Sequence, residues 1–303
     1  MGGFFLFLDG VGLGDDDPEV NPFAANHLPN TKNLLAGRRL ILDDAGYSDN
    51  NMVFNAIDAN LGVQGIPQSA SGQAAILTGK NAPLITGQHY GPKPNQPLRE
   101  LIQQGTLISE LVEAGKQVQF LNAYPDPYFE NINSGKRLHG TFPYAISLAD
   151  IRLNGTRDLI EGRGVSADFT GKGWHEHLNL KEVPILTPEQ AGRNIHKMQQ
   201  QADLTILDYW PSDIAGHHQS KDEAAGLLHN LDGMLEGLME DFDPKEDWLL
   251  ITSDHGNIES LTTRRHTSNP VPLIYFGPAA FNKTFTLIND LTGIKQAILT
   301  ILS

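Results

Sequence analysis

The sequence predicts an α/β protein of three layers, with helices on both faces of a mostly parallel central sheet. Two observations carry this. Short apolar runs rich in Phe, Leu and Ile alternate along the chain with stretches of helical periodicity. Three of those runs lead into acidic or histidine-rich motifs, as expected where ligands gather at the carboxyl ends of parallel strands. At 303 residues the chain is long enough for one large domain, 1–303, with a sizeable core.

The first predicted strand is Phe4 to Leu8, five apolar residues stopped by Asp9-Gly10. Gln117 to Leu121, Leu204 to Leu207, Trp248 to Thr252 and Pro272 to Phe276 follow as further core strands. Leu227, Leu228, Leu231, Leu235, Leu238 and Met239 recur at helical spacing, as do Ile294, Ala297, Ile298, Ile301 and Leu302, so both stretches read as helices packed on the sheet. Residues 124–184 interrupt the alternation with scattered Gly, Pro and aromatics, and read as a small irregular insertion able to form a cap. Its basic residues Lys136, Arg137 and Arg152, taken singly, read as solvated surface charges.

A formal charge of -14 and a pI near 5.1 argue against a nucleic-acid partner, because phosphate backbones call for a basic surface. An anionic small molecule remains compatible if bound metal supplies positive charge locally. The absence of cysteine excludes disulfides, thiolate metal sites and a cysteine nucleophile, so any metal must be held by oxygen and nitrogen. The apolar run at the amino end is too short for a signal-peptide core, and no stretch is long enough to span a bilayer. The expectation is a cytoplasmic protein without a membrane partner.

Asp9, Asp213 and Asp254 each lie at or just after a predicted strand end, so residues far apart in sequence can meet in one crevice. Asp213 and His217 are four apart, which on a helical turn places them on one face. Asp254 and His255 are adjacent and reach one site only from irregular backbone, which Gly256 permits. Taken alone, Asp9-Gly10 reads as a turn, Asp213 with His217 as a capping pair and Asp254-His255 as a surface turn. Together with His266 they form a set of carboxylates and imidazoles suited to zinc or manganese and ample for two ions. His175 and His177 read as surface histidines, and His217 is preferred over His218 on spacing.

Pro67 to Gly79 reads as a loop entering a short helix, with Ser69 at the N-cap and Gly79 just past the end. A helix amino terminus is a natural seat for phosphate. A serine there, its oxygen on a divalent cation, is a candidate nucleophile. The plainer alternative is a helix cap, and Ser71 is the rival position.

Asp9-Gly10 after an apolar strand, Ser69 followed by Gly72, Asp213 with Gly216-His217, Ser253 to Asn257, and His266 to Pro272 together resemble the alkaline phosphatase superfamily. The likeness is closest to its cofactor-independent phosphoglycerate mutase and phosphopentomutase branch. It spans nearly the whole chain with the motifs in the family's order. The resemblance implies an alkaline phosphatase-like fold and two divalent ions, Mn2+ or Zn2+. One would be held by Asp213, His217 and His266, the other by Asp9, Asp254, His255 and Ser69. It also implies that Ser69 accepts the phosphoryl group and passes it to water or back to substrate. Two departures stand out. Gln73 occupies a position where the mutases commonly have His, and the large domain they insert after the nucleophile helix is here much smaller. Sulfatases resemble the chain less, since the segment Ser69 to Gln73 lacks their Pro and Arg pattern.

These observations point to a two-metal phosphatase or phosphodiesterase that acts on a small phosphorylated substrate through phosphorylated Ser69. A phosphomutase with a reduced cap, on phosphoglycerate or pentose phosphate, is the enzymatic alternative. An inactive metal-binding member is the non-enzymatic one, and the chemically competent ligand set argues against it.

Overall fold

A computed structural model of the chain describes residues 2–303. Seven strands form the main sheet: β1 (Gly3–Leu8), β2 (Tyr47–Ser48), β3 (Met52–Ile57), β4 (Val118–Phe120), β7 (Leu204–Tyr209), β8 (Trp248–Thr252) and β9 (Val271–Phe276). Two more, β5 (Ala123–Tyr124) and β6 (Asn154–Gly155), pair in parallel as a small separate sheet. The main sheet has the order β2-β3-β9-β8-β1-β7-β4. β1 is parallel to β7 and β8, and β4 is parallel to β7. β9 is antiparallel to β8 and to β3, and β2 is antiparallel to β3. Hence β1, β3, β4, β7 and β8 run one way while β2 and β9 run against them.

The strand period of two sorts the core. Phe5 and Phe7 of β1, with Leu204 and Ile206 of β7, enter one apolar layer beneath the helices Ser69–Thr78, Thr141–Leu148 and Gly293–Leu302. Phe4, Leu6 and Leu8, with Leu207, Leu249 and Ile251, enter the other beneath Pro188–Gln199 and Lys221–Met239. Every residue of β1 is buried, and each such Phe or Leu contributes about 1.5–3 kcal/mol by leaving water. This is the three-layer α/β/α sandwich the alternation predicts. No helix among the described residues is long and apolar enough to cross a membrane.

Predicted and observed elements differ at informative places. The strand Trp248–Thr252 has the predicted bounds, while β7 runs on two residues past Leu207 to take in Asp208 and Tyr209. β2, at the edge, and its neighbour β3 were not predicted. β3 holds Asn55 and Ala56 at partly or wholly exposed positions, which breaks the apolar run that marked the other strands. Within 124–184 the chain forms short helices. One of them, Thr141–Leu148, sends Phe142, Tyr144, Ala145 and Ile146 into the core under the sheet.

Candidate metal centre and nucleophile

β8, β1 and β7 are neighbours in the sheet and parallel, so their carboxyl ends open side by side. Asp9 follows β1 directly, and Gly10 turns the chain with φ of 69°. Asp213 and His217 lie on the helix Pro211–His218, which begins just after β7. Asp254 and His255 follow β8 and are fully buried. His266 lies in the long connection back to β9, held against the β8 end by pairing of Gly256 with Thr267. The helix Ser69–Thr78 brings Ser69 and Gln73 to the same residues.

Ligand atoms fall into two overlapping groups, Asp213, His217 and His266, and Asp9, Asp213 and His255, each within 4.8 Å. His217 Nε2 is 3.2 Å from Asp213 Oδ2, and His266 Nε2 is 3.4 Å from Asp213 Oδ1. His255 Nε2 is 3.4 Å from Asp9 Oδ1 and 3.7 Å from Asp254 Oδ2. The His255 and His266 rings stack at 3.7 Å, which joins the groups into one centre. Asn257 Nδ2 donates to Asp213 Oδ1 at 2.7 Å and steadies the shared carboxylate.

The donor set fits divalent cations on three counts. Each histidine turns Nδ1 to a backbone carbonyl: His217 to Arg264 at 2.7 Å, His266 to Pro67 at 3.0 Å, and His255 to Gly256 at 3.3 Å. A carbonyl only accepts, so Nδ1 carries a proton and Nε2 faces the centre, where a bound metal would take its lone pair and displace any second proton. His217 and His266 bring their Nε2 atoms within 3.3 Å of each other, an arrangement that a shared proton or a cation beside them satisfies. Finally, no Lys or Arg among the described residues makes an ion pair with Asp9, Asp208, Asp213 or Asp254. Burial, then mutual repulsion, pushes the Asp254 and Asp208 carboxyls well above the usual range, and burial raises Asp9 too. On His255 burial works downward, but Asp254 and Asp9 outweigh it and push the imidazole up to about 10. Burial, then His255, pulls His266 down to about 4, leaving it neutral. The buried carboxylates thus have His255 but no Lys or Arg among the described residues to answer them, a shortfall of positive charge that a divalent cation would make up.

Ser69 is the first residue of its helix rather than the N-cap. Gln68, with extended backbone, takes the cap position and makes no side-chain cap bond. The Ser69 hydroxyl, freed from capping, lies 3.0 Å from His255 Nε2. Ser71 is engaged elsewhere: its hydroxyl donates to the Gln68 carbonyl at 3.1 Å and accepts from the Tyr90 amide at 3.0 Å. Gly72 lets the helix approach, since a Cβ there would sit 2.8 Å from the Asp254 carbonyl oxygen. Gln73 donates to Asp254 Oδ2 at 3.1 Å and to Asp9 Oδ2 at 3.4 Å. The amide thus neighbours two of the candidate ligands.

All seven predicted site residues, Asp9, Ser69, Asp213, His217, Asp254, His255 and His266, converge here. His218 turns away to Glu223. His175 and His177 lie on the helix Lys172–Leu178 rather than a strand, His175 bonding the Val183 carbonyl at 2.7 Å.

Sequence reasoning missed two residues. Asp208 is buried on β7 beside Asp9 and Asp254, and its Oδ1 receives no hydrogen bond from any described residue. A carboxylate at an inward register position of an apolar strand was the available signal. Glu259, 1% exposed, accepts from Gly12 N at 2.9 Å and Asn257 N at 2.7 Å on one oxygen, and from Thr267 Oγ1 and Asn269 Nδ2 on the other. It ties together the three loops that carry Asp9, Asp254-His255 and His266.

Residues 176–303 match the model of the Metalloenzyme superfamily. The 2,3-bisphosphoglycerate-independent phosphoglycerate mutase of Serratia proteamaculans is 36% identical over 151 residues, 45% of this chain and 29% of that protein. The mutase of the same name from Haloquadratum walsbyi is 30% identical over 163 residues, 50% of this chain and 31% of its own length. The matched part is therefore under a third of each mutase. Among solved structures, alkaline phosphatase from the Antarctic bacterium TAB5 superposes with a TM-score of 0.57 at 10% identity, over 99% of this chain and 97% of that one. The PH0037 protein of Pyrococcus horikoshii gives 0.55 at 13% identity over 91% and 85%. The carboxyl-terminal part of the chain is thus similar in sequence to the Metalloenzyme superfamily and to phosphoglycerate mutases of the 2,3-bisphosphoglycerate-independent kind, and its fold is similar to that of alkaline phosphatase.

Proposed function

We propose that the chain is a metal-dependent phosphoryl-transfer enzyme, a phosphatase or phosphodiesterase that works through phosphorylated Ser69. The observation that carries this is the Ser69 hydroxyl, 3.0 Å from His255 Nε2, beside a pocket of Asp and His donors whose carboxylates pair with no Lys or Arg among the described residues. Asp213, His217 and His266 would hold one divalent ion, and Asp9, Asp254, His255 and Ser69 the other. Manganese or zinc suits such oxygen and nitrogen donors. Bound ions would supply the positive charge that favours the serine alkoxide and shields an incoming phosphate.

The protein's own part is positioning. The first turn of the Ser69–Thr78 helix offers a partial positive charge to the phosphoryl oxygens. Ser69 Oγ bonds to phosphorus as the bond to the leaving alcohol oxygen breaks, and water then attacks the phosphoserine and releases phosphate. Asn257 and Gln73 keep the carboxylates aimed inward throughout.

The matched relatives favour a second reading, a phosphomutase that returns the phosphoryl group to its substrate. Phosphate release from a panel of small mono- and diesters, with manganese or zinc added and with Ser69→Ala alongside, separates the possibilities. Metal-dependent release that vanishes in the variant supports the hydrolase. Release that survives Ser69→Ala sinks the phosphoserine route, and isomerisation without release selects the mutase.

A further inference from the structure

The helix Pro211–His218 has two distinct sides. Pro211, Ser212, Ala215 and Gly216 are buried, and Gly216 packs so closely that a Cβ there would be 2.5 Å from Asn257 Cγ. Trp210 extends the spiral backward, with a helical φ of -74° and ψ of -14°. At about 3.6 residues per turn, the open side then presents Asp213, His217, Trp210 and Ile214, in that order, over about 100° of the circumference. Two of these four are candidate metal ligands. The other two are large, apolar and open to solvent: Trp210 is 41% exposed and Ile214 38%. Neither packs into a core layer.

Single exposed apolar side chains are ordinary on a protein surface, so position is what gives this pair meaning. Ser69 lies 3.0 Å from His255 Nε2, within the group of Asp9, Asp213 and His255. In a two-metal displacement at phosphorus the attacking and leaving oxygens fall to opposite ligand groups. The leaving alcohol therefore falls to Asp213, His217 and His266. Of these three, His217 opens furthest to solvent, its side chain 42% exposed against 16% for Asp213 and 7% for His266. The alcohol emerges beside His217, and its neighbours on the helix surface there are Trp210 and Ile214. The ledge ends at His218, which is turned to Glu223 at 2.9 Å.

We propose that Trp210 and Ile214 receive the alcohol part of the substrate, and that the preferred phosphate esters carry an uncharged aromatic group there. This rests on the reading that Ser69 takes the phosphoryl end. An indole offers a large flat apolar face on a side chain with few rotamers, and an aromatic partner stacks on it favourably. Both residues set specificity and leave the bond-breaking groups untouched.

Calorimetric titration of the zinc-loaded protein with phosphonates, which resist hydrolysis, tests it. Methylphosphonate supplies the phosphoryl end alone, while phenylphosphonate and benzylphosphonate add an aromatic group. The better aromatic ligand should bind about tenfold tighter than methylphosphonate or more. Trp210→Ala combined with Ile214→Ala should cut that advantage to below about threefold, with zinc uptake and melting showing that the double variant is folded. Trp210→Phe should keep most of the advantage, and Leu84→Ala, exposed on another helix, should keep all of it. A second readout is optical. Trp174 and Trp248 are buried, so acrylamide quenching of tryptophan emission reports chiefly on Trp210, and the aromatic ligand should reduce it where methylphosphonate does not. Methylphosphonate binding with no aromatic gain overturns the ledge and leaves the phosphoryl reading standing. A gain that survives the double variant, or that leaves quenching unchanged, overturns the assignment to these residues. No binding of any phosphonate overturns both.

Discussion

Glu259 is the buried hub of the ligand loops, and its replacement gives a sharp test of how the centre is held. Its carboxylate accepts four hydrogen bonds, from the Gly12 and Asn257 amides on one oxygen and from Thr267 and Asn269 on the other. A Cβ on Gly12 or Gly256 would collide with it, so loop and carboxylate are fitted to each other. In Glu259→Gln the amide oxygen can still serve the two backbone donors, which cannot turn. The Nε2 side then faces Thr267, which can rotate, and Asn269, which can flip. Bonds to a charged group are worth about 1.5–3 kcal/mol against about 1 for neutral ones. Over the two fixed bonds alone the loss is about 2 kcal/mol. Glu259→Ala strands the buried amides and should cost about 4 kcal/mol. Urea unfolding of the metal-free protein measures both, and manganese titration should show weakened binding in each. Stability of both variants within about 0.5 kcal/mol of the parent, the range of an indifferent surface site, would refute the hub.

Three further outcomes follow from the geometry. Gly72→Ala pushes a methyl against the Asp254 backbone and Cβ, both at 2.8 Å, so it should cost about 1–3 kcal/mol, read by thermal melting, and weaken metal binding by calorimetry. Asp9, Asp208 and Asp254 have folded pKa values raised above their unfolded ones, so the metal-free folded chain holds protons that the unfolded chain has released, and its stability falls as pH rises. Manganese at a fixed concentration, about 100 times its Kd at pH 6, should add about 2.7 kcal/mol there, a Tm gain of about 5 °C, and more at pH 8, where it binds more tightly; a gain that shrinks with pH would contradict the site's charge. Asp158 is held low, first by Arg152 and against the pull of burial, with Gly155 and Arg163 assisting. Its contribution is therefore full above the unfolded carboxylate range and lost as pH falls below it, and Asp158→Asn should cost about 1–2 kcal/mol at neutral pH with the difference fading in acid.

What the sequence disclosed depended on whether the signal was local. Trp248 to Thr252 is an uninterrupted apolar run that meets its acidic motif at the strand end, and it was found with its bounds. Asp213 and His217 were found by helical spacing, and the same spacing set aside His218. β3 escaped because Asn55 and Ala56 lie at less buried positions of the strand and cut its apolar run short. Asp208 escaped because the apolar run was closed one residue before it. Glu259 gave no local sign, since its partners Gly12, Asn257, Thr267 and Asn269 come together only in the folded chain. Ser69 was placed one position early for a similar reason: the extended backbone of Gln68 decides where the helix begins.

The place of β1 between β7 and β8 has a consequence for how the chain is made. β1 leaves the ribosome well before its neighbours, and both edges of its hydrogen-bonding ladder wait for partners that start at Leu204 and Trp248. At about 5–20 residues per second, some 10 to 40 seconds pass between the synthesis of β1 and the first of those partners. Throughout that interval the apolar stretch Gly3–Leu8 has two open edges, the condition that invites pairing with other chains. Asp9 reaches the metal site only when β1 is seated, so metal uptake marks the end of this exposed period. Chaperone capture of nascent chains should therefore centre on the first strand.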